Sequence, residues 1–181
     1  MLRRQFPYNF SREALEKSDA SQQKLSTERL VELRCQTIDW LVNFAQRLRY
    51  PQRVIATACI YFHAFYVKHL YLDHNRFEVA AACLVLSGKA EEVVLKLADL
   101  VFEFWVERHP EVPRIDINDP IINQYRQSIL EKEGLLVAAV DFTFTIRHAH
   151  DCLLPALRFI CEEFSQSIYD SLIQQVAWTA W

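Results

Sequence analysis

Glycine is almost absent from this chain, which has only Gly88 and Gly134 in 181 residues. Average usage of about 7% would give roughly thirteen. Two widely separated glycines cannot build a P-loop, a dinucleotide-binding fingerprint or another glycine-rich phosphate loop. Folds rich in β-hairpins also rely on glycine at their turns. The composition therefore predicts an all-α protein without a nucleotide-binding loop.

The charged residues are nearly balanced and dispersed. The chain carries 20 Lys and Arg against 23 Asp and Glu, a net charge of −3. Domains that follow nucleic-acid phosphates are usually strongly basic, so we expect no direct nucleic-acid partner. The longest apolar run, residues 79–86, is far shorter than the roughly 20 residues of a membrane helix. Residues 1–7 also lack the apolar segment of a secretory signal, so we expect no membrane association.

The cysteine pattern indicates a reducing compartment. Five cysteines cannot pair completely, and all of them lie in apolar helical patterns. Buried reduced thiols in an intracellular protein explain this usage best. The five are Cys35, Cys59, Cys83, Cys152 and Cys161.

The N-terminal quarter of the chain predicts two helices. Residues 1–10 form a polar and aromatic arm, and Ser11 can cap a short helix over 11–17. A longer amphipathic helix begins near Ser26 or Thr27. Its predicted apolar face consists of Leu30, Leu33, Thr37, Leu41, Phe44, Ala45 and Leu48.

The rest of the chain continues as helices, predicted over 52–68, 77–89, 93–108, 121–140, 150–163 and 165–181. The segments 52–68 and 77–89 are apolar on nearly every side, which is typical of helices surrounded by other helices. The predicted organisation is an arm and short helix over 1–25, a five-helix domain over 26–142 and the start of a second helical unit over 143–181.

Histidine and cysteine offer no convincing catalytic or metal pattern. Cys59 and His63 are spaced to share one helix face, but zinc needs four ligands and no matching pair is evident elsewhere. We therefore expect packing residues here, and no metal site. His148 and His150 flank a predicted helix start, which favours roles as cap or surface residues.

The most informative stretch ends the second apolar helix. Lys89 lies at its C-terminal end, where the helix dipole favours a cation, although a charge there is costly unless it is paired or exposed. Gly88 permits close approach of another backbone. Lys89 is either an ordinary helix end or a positive anchor for a partner. Glu91 and Glu92 follow. Adjacent side chains diverge and do not share a substrate, so a solvated loop start is expected over a carboxylate pair for acid–base catalysis.

Several motifs form a set that covers almost the whole chain. They are FSREALEKS at 10–18, Arg34 thirteen residues before Arg47, YFHAFY at 61–66, FEVAAACLVLSGKAEE at 77–92 and AWTAW at 177–181. Together they closely resemble the cyclin box, and within cyclins the transcriptional branch of cyclins T and K.

The resemblance implies an all-α cyclin fold, with a five-helix cyclin box, an N-terminal helix and the first helices of an incomplete second box. It also implies a regulatory subunit, without catalysis or a cofactor of its own, that binds a cyclin-dependent kinase as a heterodimer. The expected kinase is of the transcription-elongation type, acting in the nucleus on the C-terminal domain of RNA polymerase II.

The resemblance also implies a kinase-binding site. In that family the lysine matching Lys89 and the glutamate matching Glu133 hold the αC helix of the kinase. Leu86, Glu92 and Leu136 are expected at the same site, with the two leucines supplying most of the contact energy.

Three further positions are expected to shape the box. Arg34 matches the first-helix arginine that braces it internally, and Gly88 is a structural position. His63 stands where cell-cycle cyclins have aspartate, which favours the transcriptional branch. Ala64 stands where that branch usually has arginine, so one polar contact is expected to be absent.

The sequence ends about two helices into a second box that should contain five. If that box is unfinished, we expect an exposed apolar face around Trp178 and Trp181.

Other interpretations stay open at the level of sequence. A cyclin-fold scaffold similar to TFIIB, without a kinase partner, would call for a zinc ribbon and a basic DNA face. A helical hydrolase would use Cys59 or Cys83 as its nucleophile. A cyclin of the L, C or H type would keep the kinase but change the subgroup.

Overall fold

The structure, a computed structural model, describes residues 25–112 and 115–148, together with 151, 152, 155, 156, 158 and 159. Five helices have defined bounds within these ranges: α1 Thr27–Arg47, α2 Gln52–Lys68, α3 Arg76–Ala90, α4 Leu97–Arg108 and α5 Pro120–Ala139. The described ranges contain no β-strand. The all-α prediction is therefore confirmed.

Several predictions concern residues outside the described part. The short helix over 11–17, most of the two helices beyond residue 150 and the apolar face at Trp178 and Trp181 all lie there. The division of the chain at residues 25 and 142 stays a prediction as well.

Helix α1 begins and packs as its sequence predicts. The side chain of Ser26 accepts a hydrogen bond from the Arg29 backbone N–H, which caps the first turn. Most of the predicted apolar face is buried, including Thr37, whose hydroxyl lies 3.0 Å from that of Tyr71. Burial of this polar position costs little because the hydroxyl also donates to the Leu33 carbonyl.

Helix α3 forms the centre of the molecule. Its ten consecutive residues from Val79 to Gly88 are all buried, so no face of this stretch meets solvent. It packs against α1, α2, α4 and α5. The prediction that 77–89 is surrounded by other helices is confirmed.

Three of the five described helices end in the left-handed backbone conformation without using glycine. Arg49 after α1, Glu92 after α3 and Asp141 after α5 have φ values of 58°, 57° and 51°. In each case the next residue donates its N–H to a carbonyl five positions back, which is the Schellman pattern. The scarcity of glycine therefore does not leave these helices uncapped.

Helix α4 begins four residues later than the sequence predicts. Apolar spacing predicts a start at Val93, whereas the structure begins the helix at Leu97. The Val93 N–H is used to cap α3 by donating to the Gly88 carbonyl. Residues 93–96 therefore form a connection, in which Val94 is 93% exposed.

Candidate partner-binding surface

The candidate site is centred on an ion pair between α3 and α5. Lys89 Nζ lies 2.6 Å from Glu133 Oε1. The Lys89 side chain is 61% exposed, whereas that of Glu133 is 11% exposed. The pair therefore presents a cation at the surface, with a carboxylate held beneath it.

The helices explain why these two side chains meet. Lys89 lies in the last turn of α3, where the partial negative charge of the helix end favours a cation. Glu133 lies in the interior of α5, which packs along α3. A carboxylate this deeply placed is costly unless it is paired, and Lys89 supplies the pairing charge.

Gly88 allows the chain to fold back beside Lys89. A Cβ atom at this position would lie 2.3 Å from Leu95 Cδ1 and 3.4 Å from the Val93 carbonyl oxygen. The sequence predicts close approach of a backbone at Gly88, but the tightest contact comes from the Leu95 side chain. This contact positions the connection that follows α3.

The two leucines expected to contact a partner lie in the core. Leu86 is buried and Leu136 has no exposed surface, so neither can supply most of an apolar contact in this conformation. The physical reason is that both face the packed interior between α3 and α5. Glu92, in contrast, is exposed directly after α3.

Phe142 is an apolar candidate that the sequence reasoning did not assign to the site. It follows the end of α5 and is 71% exposed. Leu135, on α5, is also exposed. The signal that could have found Phe142 is its place just beyond a helix end, where the apolar period no longer directs a side chain into the core.

Arg34 makes the kind of internal contact that the resemblance implies. Its guanidinium donates to the Tyr66 carbonyl across 3.4 Å, which joins α1 to α2. His63 is exposed on α2, and its ring stacks edge-on against Phe62. The surrounding protein, and then the Arg34 charge, lower the pKa of His63 below its ordinary value of 6.5.

The sequence predicts that Glu91 lies in a solvated loop start, and for Glu91 this prediction is wrong. Its side chain is only 9% exposed and accepts hydrogen bonds from Arg53 Nε at 2.5 Å and Thr57 Oγ1 at 2.6 Å. Burial alone would raise the pKa of Glu91, but the hydrogen bonds from Thr57, Arg53 and His148 lower it. Adjacent carboxylates diverge as expected, and it is Glu91 that turns inward.

The side chain of His148 is also buried, contrary to the expected surface role, although its backbone N–H takes part in a cap-type bond. Its side chain is 3% exposed, and Nε2 lies 2.9 Å from Thr57 Oγ1 and 3.3 Å from Glu91 Oε1. Its backbone N–H is bonded by Asp151 Oδ2 at 3.0 Å. The sequence could not predict this burial because the contacts join residues that are about 60 to 90 positions apart.

The cysteines do not support the hydrolase interpretation. Burial raises the pKa of the Cys59 thiol to about 11 and that of Cys83 well above its ordinary value. Nucleophilic cysteines need a lowered pKa, because the thiolate is the reactive form. Among the described residues, no group of three or more His, Cys, Asp or Glu side chains is arranged to hold a metal ion. No helix in these ranges is long and apolar enough to cross a membrane.

Comparison with known proteins gives one family. The model of the cyclin N-terminal domain matches residues 6–145. Cyclin pch1 of Schizosaccharomyces pombe is 32% identical over 143 residues, which cover 78% of this chain and 40% of that protein.

Two T-type cyclins are also similar. Cyclin-T1-2 of Arabidopsis thaliana is 28% identical over 155 residues, covering 84% of this chain and 33% of that protein. Cyclin-T2 of Homo sapiens is 25% identical over 162 residues, covering 88% and 22%. The chain thus spans between 22% and 40% of the length of these three relatives. The resemblance to the transcriptional branch is confirmed by these matches, and the chain belongs to the cyclin family.

Proposed function

We propose that this chain is a regulatory subunit that binds and activates a cyclin-dependent kinase of the transcription-elongation type. The complex acts in the nucleus and promotes phosphorylation of the C-terminal domain of RNA polymerase II. The chain contributes no catalytic group to this reaction. Its effect is to change the conformation of the kinase.

The observation that carries the proposal is the Lys89–Glu133 ion pair. Its lysine stays largely exposed while its carboxylate is held in place, so the pair is an ordered polar surface feature. Support for the kinase class comes from the similarity to T-type cyclins. The matching lysine and glutamate in this family hold the αC helix of the kinase, which a pre-positioned pair can do at a small entropic cost.

The mechanism is a population shift. A kinase alone populates conformations in which its αC helix is displaced and its catalytic lysine lacks the glutamate partner. Lys89 and Glu133 bind the inward position of αC, and Phe142 offers apolar surface to the same partner. A subunit that binds only the inward state shifts the kinase toward it by as much as the difference in binding free energy.

Exchanging the two charges separates a partner-binding role from a purely internal one. In a variant carrying both Lys89→Glu and Glu133→Lys, the ion pair can re-form with reversed polarity. We expect a folded chain whose activation of a kinase falls at least a hundredfold, because two hydrogen bonds to charged groups at about 1.5 kcal/mol each are worth about 3 kcal/mol. The probe is a recombinant cyclin-dependent kinase that a T-type cyclin activates.

The single variants Lys89→Ala and Glu133→Ala complete the cycle, and circular dichroism checks the helical fold of each. Both should weaken activation. Full activation by the charge-exchanged chain would mean that the pair serves only the fold of this chain, and it would remove the site assignment.

A further inference from the structure

The segment that follows α5 lies along α2 in the opposite direction. We name residues 141–148 together with Asp151 the strap. Four contacts hold it at intervals along one side of α2: Lys68 Nζ to Asp141 Oδ1 at 2.6 Å, Tyr61 OH to the Phe144 carbonyl at 2.9 Å, Thr57 Oγ1 to His148 Nε2 at 2.9 Å and Arg53 to Asp151 Oδ1 at 3.0 Å. The α2 positions advance by four, four and seven residues, which is the spacing of one helix face.

Glu91 joins the strap to the end of α3. Its carboxylate receives Arg53 and Thr57 from α2 and lies 3.3 Å from His148 of the strap. Arg53 bonds to Glu91 through Nε and to the strap through Nη1, which lies 3.0 Å from Asp151 Oδ1. Three separate parts of the chain therefore share one carboxylate, which is nearly inaccessible to water.

The number of protons on each side chain decides which group donates and which accepts. Ionised Glu91 can only accept, so the single proton of the Thr57 hydroxyl goes to Glu91. The Thr57 oxygen is then the acceptor for His148, whose Nε2 must carry a proton. Loss of either donor would leave a buried acceptor with fewer partners, which is costly.

The side chains bonded to the Glu91 carboxylate, which we name the Glu91 cluster, are close to the candidate site along the chain. Glu91 is the C-cap residue of α3, two positions after Lys89, and its backbone N–H donates to the Ser87 carbonyl at 2.9 Å. The next two N–H groups, of Glu92 and Val93, bond back to Lys89 and Gly88. Glu91 therefore belongs to the same hydrogen-bonded turn as Lys89.

We propose that the strap is a positioning device for the partner-binding surface, and that Thr57 and His148 are positioning residues that act on Lys89 through Glu91. This inference rests on the proposed function. It adds that kinase binding depends on how the strap is attached to α2. The strap, which follows the first box, would then take part in partner binding.

Two matched pairs of variants test this proposal in the full 181-residue chain. Thr57→Val removes the hydroxyl at nearly constant volume, and Thr57→Ser keeps it. His148→Leu removes the Nε2 donor, and His148→Gln retains an N–H at a similar reach. Two measurements are made on each: amide hydrogen exchange at Glu91, Val93 and Leu84, and the dissociation constant of the same recombinant kinase.

We expect Thr57→Val and His148→Leu to speed exchange at Glu91 and Val93 and to raise the dissociation constant about tenfold, the equivalent of one lost hydrogen bond to a charged group. Exchange at Leu84, in the buried part of α3, should stay slow. The dissociation constants of Thr57→Ser and His148→Gln should remain within about threefold of that of the unmodified chain. A less well aligned hydrogen bond still satisfies Glu91.

Equal kinase binding by all four variants would overturn the positioning role and leave the proposed function intact. Equal acceleration at Leu84 would overturn it too, because the strap would then act on the whole fold. If the unmodified chain binds no kinase, the proposed function fails and this inference fails with it.

Discussion

The two glycines have different surroundings, although both lie inside helices. Gly88 faces the Leu95 side chain, and an added Cβ would lie 2.3 Å from it. Gly134 lies on the exposed side of α5, and an added Cβ would meet nothing within 4 Å. Space therefore requires glycine at position 88, whereas position 134 has no steric need for it.

The two positions should consequently respond in opposite ways to alanine. Gly134→Ala should raise the free energy of unfolding by about 1 kcal/mol, because alanine loses less backbone entropy in a helix. Gly88→Ala gains the same helix propensity, but the new Cβ must displace the Leu95 side chain. We therefore expect the free energy of unfolding to fall by about 1 kcal/mol. Urea denaturation of both variants measures the difference. Equal stabilisation by the two substitutions would contradict the close contact at Gly88.

At the level of the helices, the connection between α3 and α4 is the feature that the sequence predicts least well. The helix bodies of α1, α2, α3 and α5 follow the apolar period. The predicted bounds of α2 agree with the observed ones, and those of α3 and α5 differ by one residue at each end. The predicted start of α4 is wrong because the first residue of α4 depends on how α3 ends. A left-handed Glu92 and a Gly88–Leu95 contact carry no clear pattern in the sequence, since glycine usually marks such an end.

Arg49 gives a clean test of the glycine-free helix ends. It is exposed after α1 and has a φ of 58°. The left-handed region costs a residue with a Cβ about 1–2 kcal/mol, and glycine avoids most of this cost. We expect Arg49→Gly to raise the free energy of unfolding by about 0.5–1 kcal/mol after the larger entropy of unfolded glycine is included.

Arg49→Ala is the matched control, because it removes the same side chain and keeps the Cβ. It should give no gain. Thermal unfolding of both variants compares them directly, and a gain for alanine equal to that for glycine would show that the charge, and not the backbone conformation, limits stability at this turn.

Across the molecule, the groups whose pKa is lowered below about 7 fall into two classes, histidines and carboxylates. Partial exclusion of water by the surrounding protein is the first cause that lowers the pKa of the exposed His63 and of the half-buried His69 and His74 below 6.5. The pKa of Asp151 is lowered mainly by the His148 backbone N–H, and that of Glu91 by its hydrogen bonds against the effect of burial. The folded state therefore resists protonation in two separate pH ranges.

The free energy of unfolding should fall in two steps as the pH decreases. Below about pH 6.5 the unfolded chain takes up protons on the three histidines that the folded chain refuses, so stability is lost as the pH falls toward their folded pKa values. A second loss should begin below about pH 4.5, where unfolded carboxylates become protonated before Glu91 and Asp151 do.

Urea denaturation between pH 8 and pH 3.5 measures both steps. The variant His63→Gln, which does not titrate, should show a smaller first step and an unchanged second one. A constant free energy of unfolding from pH 8 to pH 5 would contradict the lowered pKa of these three histidines.

Only part of the candidate site could be predicted from the sequence. Lys89 was identified because a cation at the end of an apolar helix is unusual, and Glu133 because the family resemblance implied it. Leu86 and Leu136 were assigned by their nearness in sequence, which cannot distinguish the core side of a helix from its partner side. The Glu91 cluster was missed because it joins three distant segments, and only the folded chain brings them together.

The burial of α3 on every side also limits how the molecule can be divided. Because each of the other four helices that the structure describes packs on this central helix, a fragment that lacks any one of them would expose apolar surface of α3. A protease that cuts within the loop between α4 and α5 should therefore leave two pieces that stay associated under native conditions. Each piece alone would be aggregation-prone, and mixing the two would restore the helical signal.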